Sequence, residues 1–152
     1  MRRKDKKIVD KAEIEKIIKE SRSCRMVMCS NNIPYIVPVY FGYDDDIIYI
    51  HSAKKGKKID IIKRNGKVYL QIDSESQTIP SEKACKWHSR YKSVIAFANA
   101  EIVQSYAEKV KALSIIMKHY TSKNFGEFDI KEIEKIAIIK IKLETITGKI
   151  SN

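Results

Sequence analysis

The sequence predicts a mainly β protein: an antiparallel barrel or sheet with helices outside it. Three observations carry this. Three β-rich runs, CRMVMCS, IPYIVPVYFGY and IIYIHS, follow one another with only the turn-forming clusters SNN and DDD between them. Two more apolar runs and a closing one, KVYLQID, SVIAFANAEIV and IAIIKIKLETI, complete about six strands. The resulting order, β-β-β-α-β-β-α-β, lacks the strict strand and helix alternation of a parallel α/β fold.

Each element has a local reason. Asp10 and Glu13 form a D-x-x-E capping pattern ahead of Ile14, Ile17 and Ile18, which predicts a first helix from about Asp10 to Glu20. Pro34 and Pro38 lack the N–H that a central strand needs, so the second run belongs at an edge or carries a bulge. Gly56 opens a short helix with Ile59, Ile61 and Ile62 as its apolar face, ending at the αL-tolerant pair Asn65-Gly66. SESQTIPSEKACKWHSR reads as a long loop, and Ser105 with Glu108 as a second capping box. After that box, Tyr106, Val110, Leu113, Met117 and Tyr120 mark the expected core-facing stripe of another helix.

At 152 residues, 43% hydrophobic and 32% charged, the chain has the length and balance of one globular domain. Neither repeat nor linker divides residues 1–152. Lys and Arg number 30 against 19 acidic residues, a net +11 that favours an anionic partner wherever it is locally concentrated. The three cysteines, Cys24, Cys29 and Cys85, form neither a disulfide framework nor a CxxC metal motif. A reducing, cytoplasmic setting is expected, with no membrane span, since the basic start MRRKDKKIVDKAEIEKII lacks an apolar core.

The five glycines, at positions 42, 56, 66, 126 and 148, build no GxGxxG or Walker A loop. His51, His88 and His119 are too few and too scattered for a multi-histidine metal site, and Cys85 with His88 makes only two ligands, so no metal is expected. The stretch IYIHSAKKGKKIDIIKRN is more informative. Its helix begins beside Lys57 and Lys58, where unpaired N–H groups and the positive dipole end suit a phosphate, although lysines there also stand in water on many surfaces. Ser52 and His51 leave the preceding strand on opposite faces, so either the strand ends at His51 or only one of them meets a ligand directly. Arg90, Tyr91 and Lys92 interleave charge with an aromatic ring, which serves a nucleic acid or a flat cofactor with a phosphate tail; no nucleic-acid motif accompanies them.

In order and spacing, the segments MRRKDKKIVDKAEIEKII, PYIVPVYFGY, IYIHSAKKGKKIDIIKRN, IPSEKACKWHSRYKSVI, EKVKALSIIMKHY and the closing TGK resemble one family. It is that of the FMN-binding split barrels related to pyridoxamine 5'-phosphate oxidase, and within it the nitroimidazole-resistance (Nim-like) flavoproteins. The resemblance implies a six-stranded antiparallel split β-barrel with flanking helices, forming a homodimer with FMN in the groove between subunits. It assigns Ser52, Lys57 and Lys58 to the flavin phosphate, with Ala53 and Lys54 in the same turn. Pro38, Val39 and Tyr40 match backbone beside the isoalloxazine ring, and Ser93 and Val94 the start of the strand completing the site. His51 falls where the group has a histidine near the flavin's reactive face, a candidate for substrate contact or proton transfer, and Trp87 and Tyr91 are expected to line the pocket.

Two departures from the pattern stand out. SVIAFANA replaces an expected glycine pattern such as SVIGYGRA, which puts Ala96 and Ala98 where added methyl groups tighten the pocket or the strand pairing. The ending TGKISN lacks the longer basic segment of the true oxidases, so vitamin B6 synthesis is not expected. The implied activity is an FMN-dependent oxidoreductase passing electrons to a small acceptor such as a nitroaromatic. The alternative is a flavin- or haem-binding module without turnover, serving storage, sensing or protection. A nucleic-acid-binding domain, the third reading, predicts steeply salt-dependent binding and no cofactor.

Overall fold

The computed structural model describes residues 4–74, 76–123, 126 and 128–151. Residues 1–3 of the basic start and Glu75 of the expected loop lie outside that set. A 3-10 turn (Lys4–Lys6) leads into β1 (Lys7–Ile8) and then α1 (Lys11–Glu20). Asp10 caps α1 by accepting the Ala12 N–H at 2.9 Å, and Ile14, Ile17 and Ile18 bury its inner face, as the spacing predicts. Glu13 does not return the capping bond. Its carboxylate lies 2.8 Å from Lys92 Nζ instead.

Two hairpins follow, β2 (Cys24–Ser30) with β3 (Ile33–Val39), and β4 (Gly42–Asp44) with β5 (Ile47–Ala53). Asn31 and Asn32 (φ 52 and 62°) and Asp45 and Asp46 (φ 45 and 62°) turn them, both central residues being left-handed as the twist of a two-residue hairpin demands. The chain continues through α2 (Lys57–Arg64), β6 (Lys67–Asp73), β7 (Gln77–Ile79), β8 (His88–Ile102), α3 (Tyr106–Tyr120), α4 (Ile130–Lys135) and β9 (Ile136–Ser151).

All pairings are antiparallel, in the order β3-β2-β6-β8-β9-β5-β4, with β1 added to β9 and β7 to β8. The six long strands, β2, β3, β5, β6, β8 and β9, are those the sequence predicts. The count rises to nine because β1, β4 and β7, of two or three residues each, are too short to carry a periodicity. Pro34 and Pro38 do sit on an edge strand, opposite Cys29 and Arg25. Val39 of β3 and Ile48 and Ile50 of β5 come from far ends of that order yet share one buried cluster, so the sheet wraps around its core. Ile59, Ile61 and Ile62 of α2 join the same core.

Three expectations are corrected. The expected long loop folds back as β7, with Gln77 opposite Arg90 and Ile79 opposite His88, because β8 begins five residues earlier than its apolar run suggests and offers an edge. Asn65 ends α2 in an extended conformation (φ −147°), not left-handed. Gly66 is required there for a different reason: a Cβ would lie 2.6 Å from the Ala100 carbonyl oxygen. On α3 the buried residues are Ala112 and Ile116, packed against Tyr49, Val103 and Ile138, while Tyr106 is exposed. The helix lies so close to β4 that a Cβ on Gly42 would stand 2.6 Å from the Ile116 backbone, which turns Ala112 and Ile116 inward; of the expected stripe, Leu113 and Tyr120 pack half-buried against the same cluster. Ala96 and Ala98 are fully buried opposite Leu70 and Val68, so their methyl groups fill the core. Among the described residues no helix is long and apolar enough to cross a membrane.

Candidate functional site

β5 runs through Ala53, setting His51, Ser52 and Ala53 opposite Ile138, Ala137 and Ile136 of β9. Since the strand does not end at His51, alternation holds: His51 is exposed on one face and Ser52 half-buried on the other. The chain then bends through Lys54 and Lys55 to Gly56, whose φ of 124° and ψ of 166° belong to glycine alone. No side chain caps α2, so the N–H groups of its first turn are left without a side-chain acceptor. Lys58 is half-buried beside them, and burial pushes its ammonium below the ordinary lysine pKa. Lys57 Nζ stands 4.5 Å from the centroid of the Tyr35 ring on β3, a cation–π contact.

None of Lys54, Lys55, Lys57 and Lys58 pairs with a carboxylate among the described residues. Elsewhere lysines do find partners: Lys11 with Asp46 at 2.8 Å, Lys19 with Glu15 at 3.0 Å, Lys140 with Glu108 at 2.7 Å. Positive charge therefore gathers around an uncapped helix N-terminus, with Asp60 the acidic residue of its first turn.

A second part of the site follows β3. Val39 points into the core, Pro38 is exposed, and Tyr40 is 62% exposed with its ring edge-on to Tyr120 at 5.7 Å. The Tyr120 hydroxyl accepts the Phe41 N–H at 2.8 Å and donates to the Arg22 carbonyl at 2.8 Å. Burial raises its pKa, so the phenol keeps the proton it donates. His119 Nε2 lies 2.7 Å from the Ser21 carbonyl, which can only accept, so that nitrogen carries the hydrogen. These two residues of α3 fix the Tyr40 segment from behind.

The remaining candidates lie on or just before β8. Trp87, 56% exposed, donates its indole N–H to the Ser81 carbonyl at 2.7 Å. Tyr91 is half-buried with Lys149 Nζ 5.2 Å from its ring centroid. Ser93 sits between Asp73 and Lys149, and Val94, fully buried, between Ile72 and Gly148. On β9, Lys149 and Ile138, the partners of Ser93 and His51, are on the order of 35 Å apart along the strand. One subunit thus gathers His51, Ser52, Ala53, Lys54, Lys57 and Lys58 at one end of β9, and Trp87, Tyr91, Ser93 and Val94 toward the other. Between them the outer sheet face carries the row Ile36, Val27, Tyr69 and Phe97, with Ile36 58% and Tyr69 52% exposed.

Sequence reasoning missed Tyr35, His119 and Tyr120 as site residues. Alternation along β3 places Tyr35 with Val37 and Val39, but no local signal pairs it with a lysine 22 positions away. Tyr120 was assigned to packing, and its hydroxyl gives no sequence-level sign of its partners.

An antiparallel split barrel with this cationic turn defines a class, and the comparisons identify it. The family model for pyridoxamine 5'-phosphate oxidase matches residues 10–150, and the chain belongs to that family. Within it, the chain groups with the nitroimidazole-resistance-like branch. A Bacteroides thetaiotaomicron crystal structure, provisionally assigned as a 5-nitroimidazole antibiotic resistance protein, is 30% identical over 95% of this chain and 86% of its own, with a TM-score of 0.86. A flavocytochrome from Azotobacter vinelandii (17% identity, 100% of this chain, 72% of that one, TM-score 0.88) shares the fold. So does an FAD- and haem-binding protein from Mycobacterium smegmatis (13% identity, 97% and 74%, TM-score 0.88). An uncharacterized protein of Rhizobium meliloti strain 1021 is 30% identical over 66 residues, a match spanning 43% of each chain.

Proposed function

We propose that the chain binds FMN and passes electrons to a small acceptor such as a nitroaromatic compound. The observation that carries this reading is the uncapped N-terminus of α2, ringed by Lys54, Lys55, Lys57 and Lys58 without carboxylate partners among the described residues. An anion there satisfies first-turn N–H groups and offsets both the like-charge crowding and the burial of Lys58. The residues therefore fit a phosphate-bearing flavin. Ser52, Lys57 and Lys58 hold the phosphate, with Ala53 and Lys54 in the same turn, while the backbone of Pro38, Val39 and Tyr40 flanks the ring. The resistance protein at 30% identity supports nitroaromatics as the acceptor class. The flavocytochrome and the FAD- and haem-binding protein share only the fold, which accommodates either kind of group.

Separation along β9 supports a homodimer, in which Trp87, Tyr91, Ser93 and Val94 of one copy complete the pocket begun by the other's turn, and the apolar row of Ile36, Tyr69 and Phe97 becomes covered. Bound FMN supplies the electron store. His51, exposed on β5, is placed to hold a proton at its imidazole and deliver it to the acceptor's reduced nitrogen. The free thiols of Cys24, Cys29 and Cys85 fit a cytoplasmic location.

The test is a visible spectrum of the purified protein with mass analysis of the small molecule released on heating. Flavin bands and released FMN are expected; a colourless protein that takes up no added FMN refutes the reading. Anaerobic titration of the reduced protein with a nitroaromatic then separates an enzyme, which reoxidises saturably, from a carrier, which does not. Retained turnover in a flavin-loaded His51→Ala protein removes His51 from the mechanism.

A further inference from the structure

On the other side of α2 lies a separate cleft of about 250 Å³, walled by α2, the end of β8 and the start of β9. Its floor is apolar: Ile59, Val103 and Ala137 are buried. Three lysines from three different elements converge on it: Lys54 from the turn before α2, Lys63 one turn beyond Ile59 on α2, and Lys109 from the first turns of α3. No carboxylate lines the cleft, and none of the three lysines forms an ion pair among the described residues. Lys109 Nζ has only the Ile136 carbonyl oxygen, at a long 3.4 Å.

Lys54 and Lys63 are exposed and Lys109 is half-buried, so three like charges face one hollow with water screening part of their repulsion. An oxyanion placed between them turns each repulsion into attraction and gives the ammonium groups charge-assisted hydrogen bonds. Size narrows the class. Sites that enclose a whole drug-sized ligand run to about 300–1,000 Å³. This one, at about 250 Å³, lies just below that range and has ample room for a phosphate group, for which its three lysines select.

We infer that the Lys54–Lys63–Lys109 cleft is a second anion subsite that takes a phosphate group. The phosphate is either free or the terminus of a longer ligand whose remainder lies outside the cleft. It shares Lys54 with the flavin site and no other residue.

The test is isothermal titration of the full chain as purified, in phosphate-free buffer at fixed ionic strength, with inorganic phosphate and separately with adenosine 5'-diphosphate. Saturable binding is expected. Lys63→Ala and Lys109→Ala each weaken it about tenfold, the loss of one charge-assisted bond. Lys63→Arg preserves it, which separates a lost contact from a lost fold, and Lys131→Ala, an exposed lysine of α4 outside the cleft lining, has no effect. Equal affinities for the two titrants assign the cleft to free phosphate; much tighter diphosphate binding assigns it to the end of a longer ligand. Absence of saturable binding, or equal weakening by Lys63→Ala and Lys131→Ala, overturns the proposal. Flavin absorbance of the same samples is read in parallel. A colourless protein that takes up no added FMN yet still binds phosphate with this lysine dependence refutes the flavin reading and upholds the subsite.

Discussion

Replacing Tyr120 by Phe removes one oxygen from the hinge behind Tyr40. That oxygen accepts the Phe41 N–H and donates to the Arg22 carbonyl, both at 2.8 Å. Arg22 is exposed, so water replaces the second bond at little cost. The Phe41 N–H is partly buried beside a fully buried ring, and leaving such a donor unpaired costs about 1–3 kcal/mol. For a chain of this size each kcal/mol lowers the melting temperature by about 2–4 °C, which gives a fall of roughly 2–12 °C. The ring stays, so packing against Tyr40 and His119 is retained and the loss reports on the hydroxyl. Thermal denaturation followed by circular dichroism gives the shift, and hydrogen exchange at the Phe41 amide gives its local origin. A melting temperature within about 1 °C of wild type, with Phe41 protection unchanged, refutes the account of Tyr120 as the clamp on this segment.

Gly42→Ala drives a methyl to 2.6 Å from the Ile116 backbone, where no side chain can yield, so an overpacking cost of about 1–3 kcal/mol or more is expected as a lower urea midpoint. An unchanged midpoint contradicts the close approach of α3 to β4. Burial pushes the Cys24 thiol from about 9 up to about 12, so between those values the unfolded chain loses a proton that the native one keeps. The stabilisation is whole below pH 9 and drains away as pH rises, by about 1.4 kcal/mol per unit. Tyr43, whose burial also raises its phenol to about 12, acts in the same direction above pH 10. Denaturant titrations from pH 8 to 11 should show a shallower decline for Cys24→Ala; parallel slopes exclude the thiol as the source. Finally, Lys58→Ala should weaken FMN binding at least about tenfold while Lys63→Ala leaves it unchanged, measured by flavin fluorescence. Equal losses point to diffuse charge.

β2, β3, β6 and β8 were legible because each buries one face and so alternates, β5 and β9 because their apolar runs are buried on both faces at residues 48–50 and 137–139, and the edge position of β3 because proline cannot donate. What stayed hidden depends on neighbours distant in sequence. β7 takes its register from β8, and its own Gln77–Ile79 carries no pattern. The inward face of α3 is chosen by the bare backbone of Gly42, not by the helix's largest residues. In the candidate site, the glycine and lysines of the α2 turn announced themselves through charge and backbone chemistry. The Tyr35 ring under Lys57 and the Tyr120 clamp did not, because each joins segments that meet only in the folded chain. The same holds for the separation of His51 from Ser93, which follows from the register of β9.

That register also orders events during synthesis. Among the described residues β9 alone joins β5 to β8, and it is the last of the described strands to leave the ribosome. Until then the nascent chain holds two sheet fragments, β4 with β5 and β3-β2-β6-β8, each with an open edge waiting for β9. Closure must therefore wait until β9 has emerged, and a chaperone that shields exposed strand edges has its greatest effect on this protein just before that point.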